Sequence, residues 1–417
     1  MESAAIVLFV VALGLIASER VDRTKVALAG GALAVLLGVI HQHEAVEAVD
    51  WGVLGLLAGM MILVWGTEQT GVFDYVAVRV AQWSRGRPVR LVVGLTGATA
   101  LASAFLDNVT TVLLMVPVTL AIADALEIPP TPLVIAEVVA SNIGGAATLI
   151  GDPPNIIIAG ASGLGFMDFI AGVGPPALLA FAAVTAATLL TYLRRLRPSP
   201  ERVAELGSLD ASAGLGSRRD VSIALGCLGV TLAAFFVHQF VGLEPPTIAL
   251  AGAVLFLVAG RIDVERALHA VEWPTLLFFM GLFVLVGALE VTGVLEHLAG
   301  FLEDATAGSR TKEAMVVMWG SALASGVVDN IPFTAAMSPV VDRLSAPGDD
   351  AAWWALSIGA CYGGNFTLVA ASANLVAAGA LRRADHRITF GQFLAVGVPM
   401  TLLSLAVATA WMLLVVL

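Results

Sequence analysis

Four short polar stretches interrupt an otherwise apolar chain, and they hold the residues best suited to bind a small solute or to move a proton. Two of them read Leu106, Asp107, Asn108, Val109, Thr110, Thr111 and Val328, Asp329, Asn330, Ile331, Pro332, Phe333, Thr334. If each is the tip of a helical hairpin, the NH groups that open the second arm are unpaired and carry a partial positive charge. Asn108, Thr110, Thr111, Asn330 and Thr334 add side-chain donors and acceptors at the same place. Such a tip can hold a small polar solute or an ion. The other two stretches run from Ser141 to Asn155 and from Tyr362 to Asn374. The first carries Gly144, Gly145, Thr148, Asp152, Pro153, Pro154 and Asn155, and the second Gly364, Asn365, Thr367 and Asn374. Glycines followed by two prolines unwind a helix and free its carbonyls, and free carbonyls bind cations.

Asp107 and Asp329 admit two readings. At the start of a helix they cap orphan NH groups; inside a membrane a carboxylate is expensive and marks an ion or proton path. Asp152 has no acidic mate, because Ala371 stands at the equivalent place of the second stretch. That asymmetry makes Asp152 the leading proton or cation carrier, with Asp107 and Asp329 behind it. Glu137, in the middle of an apolar run, is either a coupling residue or a buried structural carboxyl. Glu68 and Glu290 fall at segment ends and read as solvated, and Trp51 and Trp273 read as interface anchors. The histidines lie near loop ends and form no ligand constellation, so no metal site and no cofactor is expected. Cys227 and Cys361 sit in apolar runs and read as small buried hydrophobes.

The elements that position these residues must be membrane helices. Of 417 residues, 59% are hydrophobic and only 13% charged, with a mean hydropathy of +0.93. This is too little polar surface to cover a water-soluble globule, and apolar runs recur from end to end. A net charge of -11 with scattered Arg and Lys excludes an electrostatic nucleic-acid binder. The segment from Met1 to Ser18 reads as a membrane helix rather than a signal peptide, since it carries Glu2 and no basic residue.

The chain repeats itself. An offset of 222 residues aligns Val49, Asp50, Trp51 with Val271, Glu272, Trp273, and Thr70, Gly71, Val72 with Thr292, Gly293, Val294. It also pairs Asp107, Asn108 and Pro117 with Asp329, Asn330 and Pro339. After a slip of three residues, Gly144, Gly145, Thr148 and Asn155 meet Gly363, Gly364, Thr367 and Asn374. Two copies, 1–200 and 221–417, therefore flank a linker at 201–220. The first copy holds apolar segments near 4–18, 25–40 and 52–66, an amphipathic helix near 72–83, a hairpin at 91–123, a broken helix at 132–163 and a span at 170–193. The second repeats the hairpin at 313–343 and the broken helix at 351–378. Five crossings and one re-entrant hairpin per copy make the copies run in opposite senses. Basic residues agree: with both termini on the side opposite the 194–220 loop, only Arg310, Lys312 and Arg343 fall outside.

Neither paired Asp clusters at a membrane face nor a Ser/His or zinc-ligand motif suggests an enzyme. A channel would share the broken helices. The segments LDNVTTVLLMVP, from Leu106 to Pro117, and SNIGGAATLIGDPPN, from Ser141 to Asn155, carry a resemblance over almost the whole chain. It resembles the ion transporter superfamily of arsenite permeases, NhaD-type sodium/proton antiporters, the melanosomal P protein, silicon efflux transporters, and citrate and dicarboxylate transporters. Both segments look most like the arsenite permease and P protein branch. The resemblance implies an all-α secondary active transporter in a bacterial inner membrane, in which a scaffold holds an elevator-like transport domain containing both hairpins and both broken helices. In the dicarboxylate branch the tip carries Ser, Asn, Thr; here Asp107 and Asp329 replace the Ser, and no basic residue within the four stretches offsets them. A carboxylate there disfavours a multiply charged anion. NhaD-type members differ at the Asp152 to Asn155 run. What remains is proton-coupled efflux of a small inorganic solute, arsenous or antimonous acid, or exchange of sodium for protons. Besides the lipid bilayer, the resemblance leaves a homodimer and an ATPase partner open.

Overall fold

The computed structural model describes residues 1–417 apart from 19, 197, 199–201 and 204–209, so part of the expected linker lies outside the described residues. Among the described residues all regular structure is helical. The first half runs α1 (Glu2–Ala17), α2 (Arg23–Leu36), α3 (Gln42–Glu47), α4 (Trp51–Glu68), α5 (Val72–Ser84), α6 (Pro88–Phe105), α7 (Asn108–Ala125), α8 (Thr131–Ala146), α9 (Pro153–Ser162), α10 (Phe166–Gly172) and α11 (Gly174–Tyr192). The second runs α12 (Arg218–Val241), α13 (Pro245–Gly260), α14 (Val264–Ala270), α15 (Trp273–Val291), α16 (Val294–Thr306), α17 (Arg310–Ser325), α18 (Asn330–Leu344), α19 (Ala351–Gly363), α20 (Ser372–Arg383) and α21 (Phe390–Trp411). The helix starts follow local chemistry. Asp22, Asp50 and Ser217 accept hydrogen bonds from first-turn NH groups of α2, α4 and α12, and proline opens α6, α9 and α13, where its missing NH does no harm.

Helix packing repeats between the halves. The hairpin arm α6 lies along α8, as α17 lies along α19. Each half reaches into the other: α2 packs on α15 while α4 packs on α13, and the half-helices α9 and α20 dock on α18 and α7. Two groups of helices result. One contains α1–α4 and α12–α15; the other contains both hairpins, both broken helices, α11 and α21. The groups meet mainly where α4 touches α9 and α15 touches α18.

Small residues allow the close crossings, since in lipid it is van der Waals fit rather than the hydrophobic effect that draws helices together. A Cβ on Gly59 would lie 2.6 Å from the Ala249 carbonyl carbon, and one on its mate Gly281 would lie 2.5 Å from that of Ala27. Inside the other group, a Cβ on Gly144 would meet the Ala100 oxygen at 2.3 Å and one on Gly363 the Ala322 oxygen at 2.5 Å.

Among the described residues, seven helices are long and apolar enough to cross a membrane, or eight if the pair α9 and α10, bent by 113°, counts as one span. Two of the seven, α6 and α7, are the hairpin arms. Of the other segments expected to cross, α1, α8 and α13 are apolar and hold 16 residues each, and α2 holds 14. The segment expected at 25–40 ends at Leu36, turns, and resumes as α3; the one expected at 170–193 is split before Gly174 by the following Pro175 and Pro176. Trp51 and Trp273 open equivalent helices and are 59% and 50% exposed.

We expect Gly144→Val and Gly363→Val each to destabilise the folded protein in detergent by at least ~2 kcal/mol, because the added atoms must push backbone apart. Gly226→Ala in α12, where nothing lies within 4 Å of the new Cβ, is expected to leave the thermal midpoint unchanged or to raise it. Thermal unfolding of the three purified variants checks this.

Candidate functional site

The two hairpin tips meet the two helix breaks at one cavity of about 70 Å³, room for a handful of water-sized groups. Asp107, Asn108 and Thr110 line it from the first tip, Asn330 from the second, Asp152 from the first break and Ser372 from the second. Leu57, Met60, Met61 and Val64 of α4 form an apolar wall.

Both tips are built as helix caps. Asp107 accepts the Thr110 NH at 2.9 Å and the Thr110 hydroxyl as well, and Asp329 accepts the Ile331 NH at 3.0 Å. Beyond these shared caps the tips differ. Arg23, at the first position of α2, reaches across to Asp329: its Nη1 lies 3.3 Å from Asp329 Oδ2 and donates to Ser372 Oγ at 2.7 Å. The same guanidinium sits 5.2 Å from the Phe278 ring centre, over its face. Among the described residues Asp107 has no such ion pair, and under the 222-residue offset Arg23 aligns with Pro245. A basic residue therefore does enter the site, from outside the four polar stretches.

The freed carbonyls at the breaks have protein partners. Asn155 Nδ2 donates to the Ala146 and Thr148 oxygens at 3.0 and 2.8 Å, and its mate Asn374 donates to the Gly364 and Thr367 oxygens at 2.7 and 2.8 Å. Thr148, Thr334 and Thr367 each give their hydroxyl to a backbone carbonyl, of Ala104, Asn330 and Gly326. The break carbonyls are thus held by the two amides, where the sequence alone suggested a cation, and the threonine hydroxyls tie the breaks to the hairpins. Gly144 and Gly145 serve close packing, against Ala100 and Gly151, and Gly364 lies beside Ala371.

A chain of amides joins the halves. Asn108 Nδ2 donates to Asn142 Oδ1 at 3.0 Å, and Asn142 Nδ2 donates to Asn365 Oδ1 at 2.8 Å and Asn374 Oδ1 at 3.2 Å. Ser357 Oγ donates to Asn155 Oδ1 at 2.6 Å, and Asn330 Nδ2 reaches Asp152 Oδ1 at 3.5 Å. Among the described residues, four polar atoms of the predicted site remain fully buried with no hydrogen-bond partner: Asp152 Oδ2, Asn365 Nδ2, Thr111 Oγ1 and Glu137 Oε2. Glu137 lies away from the cavity lining. One of its oxygens accepts the Thr119 hydroxyl at 2.6 Å and the other has no partner.

Sequence reasoning missed Arg23, Glu272, Thr275 and Ser372 among the lining residues, and the central Asn142 as the bridge. A signal for Arg23 did exist. A carboxylate at membrane depth calls for a countercharge, and Arg23 is a basic residue beside the first repeat's α2 with no basic mate in the second.

Removing Asn142 leaves the amides of Asn108, Asn365 and Asn374 each short of a bond. Asn142→Ala is therefore expected to lower stability by about 2 kcal/mol or more, the penalty of unsatisfied buried polar groups, whereas Thr110→Ser, which keeps its hydroxyl, should unfold as the parent does. Thermal unfolding in detergent measures both.

Comparisons with known proteins place this architecture. The citrate transporter family, CitMHS, matches residues 13–359. A transporter of Mycobacterium tuberculosis described only as uncharacterized is 43% identical over 99% of this chain and 98% of its own. The human P protein is 36% identical over 96% of this chain, which spans 58% of that longer protein. Among solved structures, the YdaH transporter of Alcanivorax borkumensis, reported to have an unusual topology, shares the fold with a TM-score of 0.60 at 18% identity, covering 98% of this chain and 96% of that one. The chain belongs to the citrate transporter family and is an all-helical, polytopic membrane transporter.

Proposed function

We propose that the protein is a secondary active transporter that exports a small hydroxylated solute, arsenous or antimonous acid, in exchange for protons. The lining of the 70 Å³ cavity carries the proposal. Asp107, Asp152 and Glu272 face it with the amides of Asn108 and Asn330 and the hydroxyl of Thr110, and the one guanidinium, of Arg23, already faces Asp329. Such a surface hydrogen-bonds a small neutral molecule and repels a multiply charged anion. Asp152, which lines the cavity and has one buried carboxylate oxygen without a hydrogen-bond partner, is the proton carrier of this scheme; Asp107, Asp329 and Glu137 are next.

Transport follows from the two helix groups. The group with α4 and α15 stays in place, and the group holding both hairpins and both broken helices slides against it in an elevator-like motion, carrying the cavity from one side to the other. The halves 1–200 and 221–417 run in opposite senses, and both termini lie on the side opposite the 194–220 connector. The bacterial relatives favour a plasma membrane location.

A second reading is carriage of a carboxylate anion. It is favoured by the name of the family and by Arg23 at the cavity, and it requires that guanidinium to leave Asp329 for the solute.

Everted vesicles energised by a proton gradient separate these readings. Arsenite should accumulate with proton release, uptake should fall at least tenfold in Asn330→Ala, the order of effect expected when a site's polar contact is lost, and Asp152→Asn should lose its dependence on the gradient. Citrate accumulation without arsenite flux would establish the second reading, and sodium-evoked proton movement alone would make the protein a sodium/proton antiporter.

A further inference from the structure

Arg23 lines two cavities at once. One is the site cavity; the other, of about 340 Å³, is bounded by Asp22, Asp329, Val369 and Leu375, and shares Arg23 and Ser372 with the first. The guanidinium, bound to Asp329 and Ser372 and resting on Phe278, stands between them. Its side chain is 32% exposed, that of Asp329 12%, so the pair faces the larger cavity with one edge and protein with the rest. The three partners also belong to different bodies. Arg23 and Phe278 sit on α2 and α15 of the first helix group, whereas Asp329 caps α18 and Ser372 opens α20 in the second.

The other half is closed differently. A second cavity of about 400 Å³ occupies the pseudo-equivalent position, with Glu244 and Pro245 where Asp22 and Arg23 stand in the first. It shares only Ile156 with the site cavity, and Val53, Leu56 and Leu149 line it there. One route to the site is closed by apolar side chains and the other by an ion pair.

We propose that Arg23 is the gate of the solute pathway: its bond to Asp329 and Ser372 shuts the site cavity from the 340 Å³ vestibule and latches the moving helix group to the stationary one. Opening needs only a rotamer change of one long side chain, followed by loss of an ion pair that water in the vestibule can replace. Sliding of the second group carries Asp329 and Ser372 away from Arg23, so the latch must break in every cycle. A solute that offers oxygen acceptors to the guanidinium releases it. The gate rests on the relative motion proposed above and not on the identity of the solute.

The test is the rate at which a membrane-impermeant methanethiosulfonate labels a cysteine in the site. Met61→Cys places a thiol on the apolar wall of the site cavity, and Ala159→Cys places one in the opposite vestibule; both are measured in reconstituted full-length protein, where Cys227 and Cys361 are buried. Adding Arg23→Gln is expected to speed labelling of Met61→Cys about tenfold, as a largely closed population opens, and to leave Ala159→Cys unchanged. Should that variant fail to fold, Asp329→Asn, which keeps a capping side chain, carries the same expectation. Unchanged labelling of Met61→Cys overturns the gate, and so does equal acceleration at both cysteines, which would mean general loosening. Absence of arsenite transport would leave these rates untouched, so the solute assignment and the gate fail separately.

Discussion

A helix that breaks within a protein surrounded by lipid releases carbonyls that bulk water does not reach, and each must find a donor or destabilise the fold. Asn155 and Asn374 are that donor. Each sits in the first turn of the half-helix that follows a break, and each turns its amide back onto carbonyls of the break itself. Because the amides are spent on backbone, the breaks hold their shape without a solute, and the hairpin tips have a rigid surface to pack against. The hairpin arms then approach closely only because Gly144 and Gly363 leave room for the Ala100 and Ala322 carbonyls. Cap, break and close crossing depend on one another, and the cavity is the space left between them.

The duplication makes this construction symmetric; the chemistry of the cavity is not. Asp152 faces Asn330, while the place equivalent to Asp152 is held by Ala371. Arg23 pairs with Asp329 at the second tip, and among the described residues no ion pair forms at the first. A pair of equal sites has become a single one, with a carboxylate bearing an oxygen without a hydrogen-bond partner on one side and a guanidinium latch on the other. Such an arrangement suits coupling, since one side can exchange a proton while the other responds to position.

Much of this was legible in the residues. The offset that aligns Asp107, Asn108 with Asp329, Asn330 located both tips, and the Gly and Pro content at 144–154 located the first break, because hairpins and broken helices are short-range features. Asp107 and Asp329 do cap, as Asp before a helix should. The partners of the freed carbonyls were harder to read. Asn155 looked like a solute ligand because its residue type suits both tasks, and only geometry shows its amide turned onto backbone. Arg23 left a fainter signal: 306 residues separate it from Asp329, and only its lack of a basic mate in the second half marks it among the basic residues at helix ends. Helix ends were also hard to place, since the segment expected at 25–40 stops at Leu36 and the one expected at 132–163 is divided at its break.

In the proposed transport cycle two helix groups move past one another and carry the cavity with them. The most direct measurement is the distance between spin labels on each group, at exposed positions Val258 of α13 and Leu178 of α11, by pulsed electron resonance in nanodiscs. Two distance populations, redistributed by Arg23→Gln, are the predicted result. A single narrow population, the same in parent and variant, would rule out that motion.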